Sequence, residues 1–307
     1  MNGAAALIRI YAGAMDNRSA DGGNTELRDF LRSRRARIVP EDVGLPRTAG
    51  ARRVPGLRRE EVAMLAGVSV DYYVRLERGR NLNVSESVLD AVARALLLDE
   101  TERGHLFTLA RPTRGRRRPM PPQRVRVGLE RVVDTWTDVP ALLLGRRMDV
   151  LASNRMARAL YTDFDRLPRR ERNMAHFLFL DESARELYVD WESAARGTVA
   201  GLRLDAGRHP EDPQLADLVG ELSVRDKDFR HWWADHDVLR RDHGSKSYHH
   251  PIAGDFTLEY EALSPTGDPD LILGLYTVEP GSSSEQAMKL LASWIAEPVD
   301  DGLPRAR

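Results

Sequence analysis

The side chains with the clearest chemical use lie in Arg58–Gly79, which reads RREEVAMLAGVSVDYYVRLERG. In its second half, apolar residues recur at helical spacing and leave polar residues on the opposite side. The outward positions that carry groups matching the edges of DNA bases are Ser69, Val70, Asp71 and Arg75. An arginine suits guanine, a carboxylate accepts from cytosine, and a valine contacts a thymine methyl group. The segment therefore predicts base-specific contacts.

Neighbouring side chains suit the sugar-phosphate backbone rather than the bases. Cationic and polar groups bind phosphate oxygens and set the register of a protein on DNA without reading its sequence. The residues with such groups are Arg59, Tyr72, Arg78, Arg80 and Asn81. We expect them to hold phosphates.

Two short helices joined by a tight turn must position these residues. Ala63 is small, as a close helix crossing requires, and Gly67 occupies the turn, where glycine adopts a positive φ without steric cost. Ser69 is a suitable N-cap for the second helix. The residues predicted to face the core are Val68, Tyr73 and Leu76. Any amphipathic helix pair with a glycine looks similar, but the combination of these features with flanking helices favours a helix-turn-helix.

Helical periodicity also surrounds this pair. The additional predicted helices are Glu26–Ile38, Ser85–Leu98 and Glu100–Ala110. With the central pair they give an all-α domain of five helices over residues 24–111.

The charge distribution is uneven although the net charge of the chain is −1. Residues 24–124 carry 21 basic against 13 acidic side chains, whereas residues 125–307 carry 23 basic against 32 acidic side chains. A basic first third suggests that this part meets a polyanion, although a solvated charged surface explains such an imbalance as well. Residues 112–123 are interpreted as an extended linker, whose arginines either follow phosphates or are solvated.

Residues 124–297 show a different pattern, which predicts an α+β domain. The predicted helices are Val125–Thr137, Asn154–Tyr161, Glu171–Leu180, Ser183–Ala206, Pro213–Leu222, Asp226–Asp237 and Ser284–Ala296. The predicted strands are a hairpin, Ala141–Leu144 with Asp149–Ala152, and a later antiparallel set, Ser247–Ile252, Phe256–Leu263 and Leu271–Glu279.

Five of the eight histidines lie between residues 231 and 250, near three aspartates. Histidine and carboxylate ligands suit zinc or iron. However, His231 and His236 diverge on a helix, and the neighbours His249 and His250 point to opposite faces of a strand. We therefore expect no metal site, and the same histidines are compatible with a pH-responsive sensor.

Catalytic motifs are missing from the sequence. It has no nucleophile elbow, no Walker-type loop and no dinucleotide-binding glycine motif, and it has no cysteine. We expect no catalytic residues and no cofactor.

Several segments of the chain resemble those of a known family of regulators. The segments ELRDFLRSRRARIVPEDVG and RRVPGLRREEVAMLAGVSVDYYVRLERGR resemble Xre-type, lambda-repressor-like regulators. The segments WTDVPALLLGRRMDVLASNRMARALY, FRHWWADHDV, HHPIAGDFTLEYEAL and TVEPGSSSEQAMKLLASW resemble their MmyB-like ligand-binding domain. The resemblance covers residues 25–296 and implies a PAS-like second domain, a homodimer and a palindromic operator in double-stranded DNA. It also implies a structural pair between Glu77 and Arg35.

The MmyB-like resemblance implies an apolar pocket for a small hydrophobic effector such as a fatty acid. All five tryptophans of the chain lie in this domain, and such pockets combine aromatic walls with a few polar groups. The candidate pocket residues are Trp136, Asn154, Arg158, Trp191, Trp232, His236, Phe256, Leu258 and Tyr260. The same aromatic residues would also fill a core. The alternative is a domain that only dimerises or contacts a partner protein.

We expect helix Val125–Trp136 to carry any signal between the domains. No stretch reaches the roughly 20 apolar residues that a membrane span needs, so we expect no membrane partner and a cytoplasmic location. Residues 1–23 and 298–307 are interpreted as tails, with Met15 as an alternative start.

Overall fold

The computed structural model describes residues 24–46, 56–80, 83–111, 123–239 and 242–296. The predicted tails, Asn81 and nearly all of the linker 112–123 lie outside these ranges. The chain forms two compact units. The first combines the described residues before 121 with residues 196–239, and the second contains the remaining described residues. The first unit thus takes in a segment that the sequence places in the second domain.

The helices and strands are numbered along the chain. The helices are α1 Thr25–Arg37, α2 Arg59–Leu65, α3 Val70–Glu77, α4 Glu86–Ala95, α5 Glu100–Ala110, α6 Val127–Thr135, α7 Arg155–Leu160, α8 Met174–Leu180, α9 Glu182–Leu187, α10 Trp191–Arg208, α11 Pro213–Arg225, α12 Lys227–Ala234 and α13 Ser283–Ala296. The strands are β1 Ala141–Leu144, β2 Val150–Ser153, β3 His243–His250, β4 Gly254–Leu263 and β5 Ile272–Thr277. Short 3-10 turns lie at Pro40–Val43, Arg146–Met148, Phe164–Arg166 and Arg169–Glu171.

Side chains cap the starts of the helices in the first unit. Asn24 Oδ1 accepts from the backbone N–H of Leu27 at 3.0 Å, and Asp99 Oδ1 accepts from that of Glu102 at 2.8 Å. Ser85 caps α4 in the same way. Each cap satisfies a backbone donor that the helix itself leaves free. The five helices predicted for residues 24–111 are confirmed.

An apolar core keeps the short helices of the first unit helical. Its largest contributors are Leu27, Phe30, Leu31, Val62, Tyr73, Leu76, Leu89, Val92, Leu106 and Leu109. Helices as short as α2 and α3 are marginal on their own in water, since those below about 12 residues lack sufficient internal stability. Burying each large apolar side chain contributes about 1.5–3 kcal/mol, so tertiary packing stabilises these helices.

The second unit is built on one five-stranded antiparallel sheet with the order β2-β1-β5-β4-β3. The predicted hairpin joins the later strands through β1, where Leu142 lies opposite Gly274 of β5. α6 packs on this part of the sheet through Val133, and α13 packs against β4. The predicted order of an all-α part followed by an α+β part is confirmed.

The helix predicted over Ser183–Ala206 is wrong, because two helices, α9 and α10, occupy this range. Tyr188 between them has extended backbone angles and forms a β-bridge with Tyr248. The N–H of Val189 donates to the carbonyl of Ser247 at 3.1 Å. Pairing with a distant strand therefore interrupts a sequence that is helical by local pattern.

One histidine of the first unit, His105, is buried, and another, His236, is partly buried. His105 on α5 meets the ring of Phe30 edge-on, with 5.0 Å between ring centroids. His236 follows α12 and has a φ of 55°. Burial, together with the nearby guanidinium groups of Arg203 and Arg34, lowers the pKa of each to about 3. Both side chains are therefore neutral at physiological pH.

We predict that acid destabilises the first unit through these histidines. Below the ordinary pKa of 6.5 the unfolded chain binds protons that the folded chain does not. Above pH 6.5 the two histidines do not reduce the free energy of unfolding. As the pH drops from 6.5 toward 3, each histidine lowers the free energy of unfolding by up to about 1.4 kcal/mol per pH unit. Denaturant titrations from pH 7.5 to 5 measure this slope.

The matched variant is His236→Asn, because asparagine tolerates a positive φ and does not titrate. Its slope below pH 6.5 is expected to be shallower than that of the unmodified chain. An identical slope in both proteins contradicts the assignment.

Candidate functional site

The turn between α2 and α3 depends on the backbone freedom of Gly67. Its φ is +66°, and no atom lies within 4 Å of the position that a Cβ would occupy. Steric room therefore does not require glycine here, but the left-handed backbone does. The N–H of Val68 donates to the carbonyl of Ala63 at 2.9 Å and closes the turn.

The orientation of α3 follows from its cap and its buried side. Ser69 Oγ accepts from the N–H of Tyr72 at 3.2 Å, which fixes the first turn of the helix. Tyr73 and Leu76 are fully buried, as predicted, and Val68 is partly buried against the same core. The opposite side of α3 is exposed and presents Val70, Asp71 and Arg75.

Asp71 and Arg75 form an ion pair one helical turn apart. Arg75 Nε lies 3.4 Å from Asp71 Oδ2, and the two side chains are 57% and 80% exposed. An ion pair this exposed contributes between about 0 and 1 kcal/mol. Both groups can therefore exchange their partner for a base edge at small cost.

A buried carboxylate holds the other end of α3. Glu77 is almost fully buried and accepts from Arg35 Nη2 on α1 at 2.9 Å and from Arg59 Nε on α2 at 2.9 Å. Arg35 also donates to the carbonyl of Leu57 at 2.7 Å. The predicted structural pair of Arg35 and Glu77 is confirmed, and Glu77 joins three helices.

The second unit contains a cluster of buried tyrosines. The Tyr161 hydroxyl donates to that of Tyr276 at 2.7 Å and lies 2.9 Å from that of Tyr248. The ring of Tyr188 stacks near that of Tyr161, with 6.3 Å between centroids. Burial raises the pKa of Tyr188 to about 12 and raises the pKa values of Tyr161 and Tyr248. At neutral pH these hydroxyls are protonated, so each can donate and accept.

Two family models match the chain, one in its N-terminal and one in its C-terminal part. A family model described as a helix-turn-helix domain matches residues 26–106. A second, described as the MmyB-like transcription regulator ligand binding domain, matches residues 125–291. The chain belongs to this family of regulators. No curated protein matches the sequence. The MmyB-like regulator is thus a DNA-binding transcription regulator with a ligand-binding domain.

Among the described residues, the predicted base-reading and phosphate residues of this MmyB-like regulator are exposed, except Tyr72, which is partly buried. Ser69 is exposed while its oxygen caps α3, and Arg78 and Arg80 are exposed at the end of α3. Arg59 is committed to Glu77 by two hydrogen bonds, and Tyr72 packs partly against the core. The phosphate-binding roles remain predictions.

Met64 was missed by sequence reasoning. It lies on α2 just before the turn and its side chain is 62% exposed. A methionine in an amphipathic helix is normally interpreted as core, so the residue type gave no signal of exposure. With Val70, it places a second exposed apolar group beside the turn of the helix-turn-helix.

The structure divides the predicted pocket residues of the MmyB-like regulator between the two units. Trp232 and His236 belong to the first unit, and the other seven belong to the second. Phe256 and Leu258 are buried on β4, and Tyr260 on the same strand is partly buried. Trp136 is exposed at the end of α6.

The polar pocket candidates of the second unit already have protein partners. Asn154 Oδ1 accepts from the N–H groups of Ala141 and Ala157, and its Nδ2 donates to the carbonyl of Val139 at 2.8 Å. Arg158 donates to the carbonyl of Ser153. Trp191 Nε1 donates to the carbonyl of Leu178 at 2.9 Å. The tyrosine cluster, none of whose members is among the predicted pocket residues, brings several hydroxyl groups together among buried aromatic rings.

Among the described residues, no three histidine, aspartate or glutamate side chains are grouped so that they could hold a metal ion. No helix in the described ranges is both long enough and apolar enough to cross a membrane.

We predict that Glu77→Ala strongly destabilises the helix-turn-helix. The substitution leaves the buried guanidinium of Arg35 without its anion, and breaking a buried pair costs about 3–5 kcal/mol. Denaturant unfolding of the full chain measures the loss. The control is Glu60→Ala, which removes an exposed carboxylate from α2 and should change stability by less than about 0.5 kcal/mol. Equal effects of the two substitutions would refute a structural role for Glu77.

Proposed function

We propose that this MmyB-like regulator is a sequence-specific DNA-binding protein, acting as a repressor, whose second domain binds a small apolar effector that shifts operator affinity. The observation that carries the proposal is the exposed face of α3. Its candidate base-reading side chains point outward while Glu77 and the apolar core fix the helix behind them. We propose that it acts on chromosomal DNA in the cytoplasm and catalyses no reaction.

The chemistry of the exposed face supports sequence reading rather than general affinity for phosphate. Arg75 offers a planar donor pair to guanine O6 and N7, and Asp71 accepts from cytosine N4. Val70 and Met64 add apolar surface suited to a thymine methyl group. A patch made only of cations would bind DNA without distinguishing its sequence.

We predict that Arg75→Ala costs about 1–3 kcal/mol on the preferred site and relaxes the preference at one base pair. Arg75 is exposed, so the substitution should leave folding unaffected. Selection from random duplexes at a stated salt concentration, followed by fluorescence anisotropy on the selected and a random duplex, measures both effects.

The matched variant is Arg78→Ala, at the end of the same helix. If Arg78 holds a phosphate, its loss weakens binding to both duplexes alike. Equal weakening of both duplexes by Arg75→Ala would remove Arg75 from the base-reading set.

Exposed apolar side chains in the second unit support the proposal that the regulator is a homodimer. Leu290 and Trp294 lie one turn apart on α13, and about half of each side chain is exposed. Val127 and Val132 are also exposed on α6. A two-fold dimer reads two half-sites about one helical turn of DNA apart, so the selected sequence is expected to be palindromic.

The tyrosine cluster and the apolar face of β4 support the proposed effector site. Ligand sites of this kind combine apolar walls with a few convergent polar groups. Tyr248, Phe256 and Leu258 supply buried apolar surface, and the Tyr161 hydroxyl connects the polar groups. The effector class that we propose, a fatty acid or a similar apolar molecule, is the class that the family resemblance implies.

We predict that a saturated fatty acid of suitable chain length raises the Tm of the full chain and changes its operator affinity. A ligand at about 100 times its Kd stabilises the folded state by about 2.7 kcal/mol. A series of chain lengths, together with mass spectrometry of small molecules extracted from the purified protein, tests this. An empty extract and an unchanged Tm across the series would favour a domain that only dimerises or contacts a partner protein.

A further inference from the structure

Residues 196–239 contribute to the folding unit of the helix-turn-helix although the ligand-binding family match includes them. Val238 is buried in the same apolar core as Leu27 and Leu106, and Leu204 packs against that core. α10 also approaches α5 closely, because a Cβ on Gly207 would lie 2.5 Å from His105 Cε1. We call residues 196–239 the docking segment.

An ion pair with a buried arginine joins the docking segment to the start of α1. Arg203 Nη1 donates to Glu26 Oε2 at 2.8 Å, and only 3% of the arginine side chain is exposed. The Arg203 guanidinium lies 3.7 Å from the centroid of the Trp233 ring and also donates to the Trp233 carbonyl. The arginine therefore ties α10, α12 and α1 together.

A second arginine group joins the docking segment to the end of α1. Arg34, whose side chain is 3% exposed, donates to Asp237 Oδ1 at 3.2 Å and to the His236 carbonyl at 2.8 Å. Its Nε lies 2.9 Å from Glu102 Oε1 on α5. Arg37 contacts the carboxylate of Asp237 as well. Both ends of α1 are thus held by the docking segment.

Arg35, the residue after Arg34 on α1, holds α3, which we call the recognition helix. Arg34 binds the docking segment, whereas Arg35 binds Glu77 at the end of α3. Successive side chains on a helix differ in direction by about 100° and so contact different neighbours. A displacement of α1 by the docking segment therefore acts directly on the residue that positions α3.

We propose that the docking segment is the relay by which the ligand-binding domain sets the position of the recognition helix, through Arg34 and Arg35 on α1. The boundary between the two units falls within α10, after Ala195, so the docking segment continues one helix of the ligand-binding domain. The relay is distinct from α6, the helix that the sequence favours for this role.

Hydrogen exchange on the DNA-free full chain tests the relay with Asp237→Asn. About 44% of the Asp237 side chain is exposed, so the variant should fold. It removes the negative charge that pairs with Arg34 and Arg37. The control, Asp90→Asn, removes an aspartate of similar exposure that pairs with Arg103 within the helix-turn-helix domain. Arg203→Gln is the second variant, at the opposite end of α1.

We expect Asp237→Asn and Arg203→Gln to speed exchange about fivefold or more in residues 227–239 and also in α3, with Asp90→Asn changing neither region. Faster exchange in the docking segment with unchanged exchange in α3 would show a structural brace and overturn the relay. Unchanged exchange in both regions would show that these contacts do not hold the segment, and would overturn it as well.

A second arm measures DNA affinity and rests on the proposed function. Asp237→Asn should change affinity for the selected duplex about fivefold more than Asp90→Asn does, although both remove one negative charge. Equal effects of the two variants would exclude a relay to DNA binding. If no preferred duplex exists, the proposed function fails, and the exchange arm still decides whether the docking segment controls α3.

Discussion

The buried carboxylate of Glu77 is the constraint on which the DNA-binding half depends. A buried carboxylate without partners is strongly unfavourable, so its two guanidinium partners must remain in place. Those partners lie on α1 and α2, and the carboxylate ends α3. Because Arg35 also donates to the carbonyl of Leu57, the loop before α2 is fixed by the same group. One side chain therefore determines how three helices meet.

Local chemistry explains why the helix-turn-helix could be predicted from the sequence. Gly67 needs a left-handed backbone, Ser69 caps the helix that follows, and Tyr73 and Leu76 share one helical face. Each of these signals involves residues a few positions apart, and each agrees with the others. The pair of Arg35 and Glu77 spans 42 positions and came only from the family resemblance.

Contacts distant in sequence explain what could not be predicted. The helix expected over Ser183–Ala206 is interrupted because Tyr188 pairs with Tyr248, and no local pattern in the sequence predicts that pairing. The tyrosine hydroxyls meet across 87 and 115 positions, so no local pattern groups these residues. The docking segment is the largest such case, because Arg34 and Asp237 are 203 positions apart.

The two ends of α3 have opposite requirements, and the structure meets both. At the exposed face, Asp71 and Arg75 form a weak pair that can be replaced by base edges. At the buried end, Glu77 forms a pair that cannot be lost without leaving a charge unpartnered. A regulated DNA-binding helix needs this difference, because its contacts with DNA must be reversible while its position must be set by the protein. Since α1 supplies Arg35 to that buried end, any contact that positions α1 also positions the exposed face of α3.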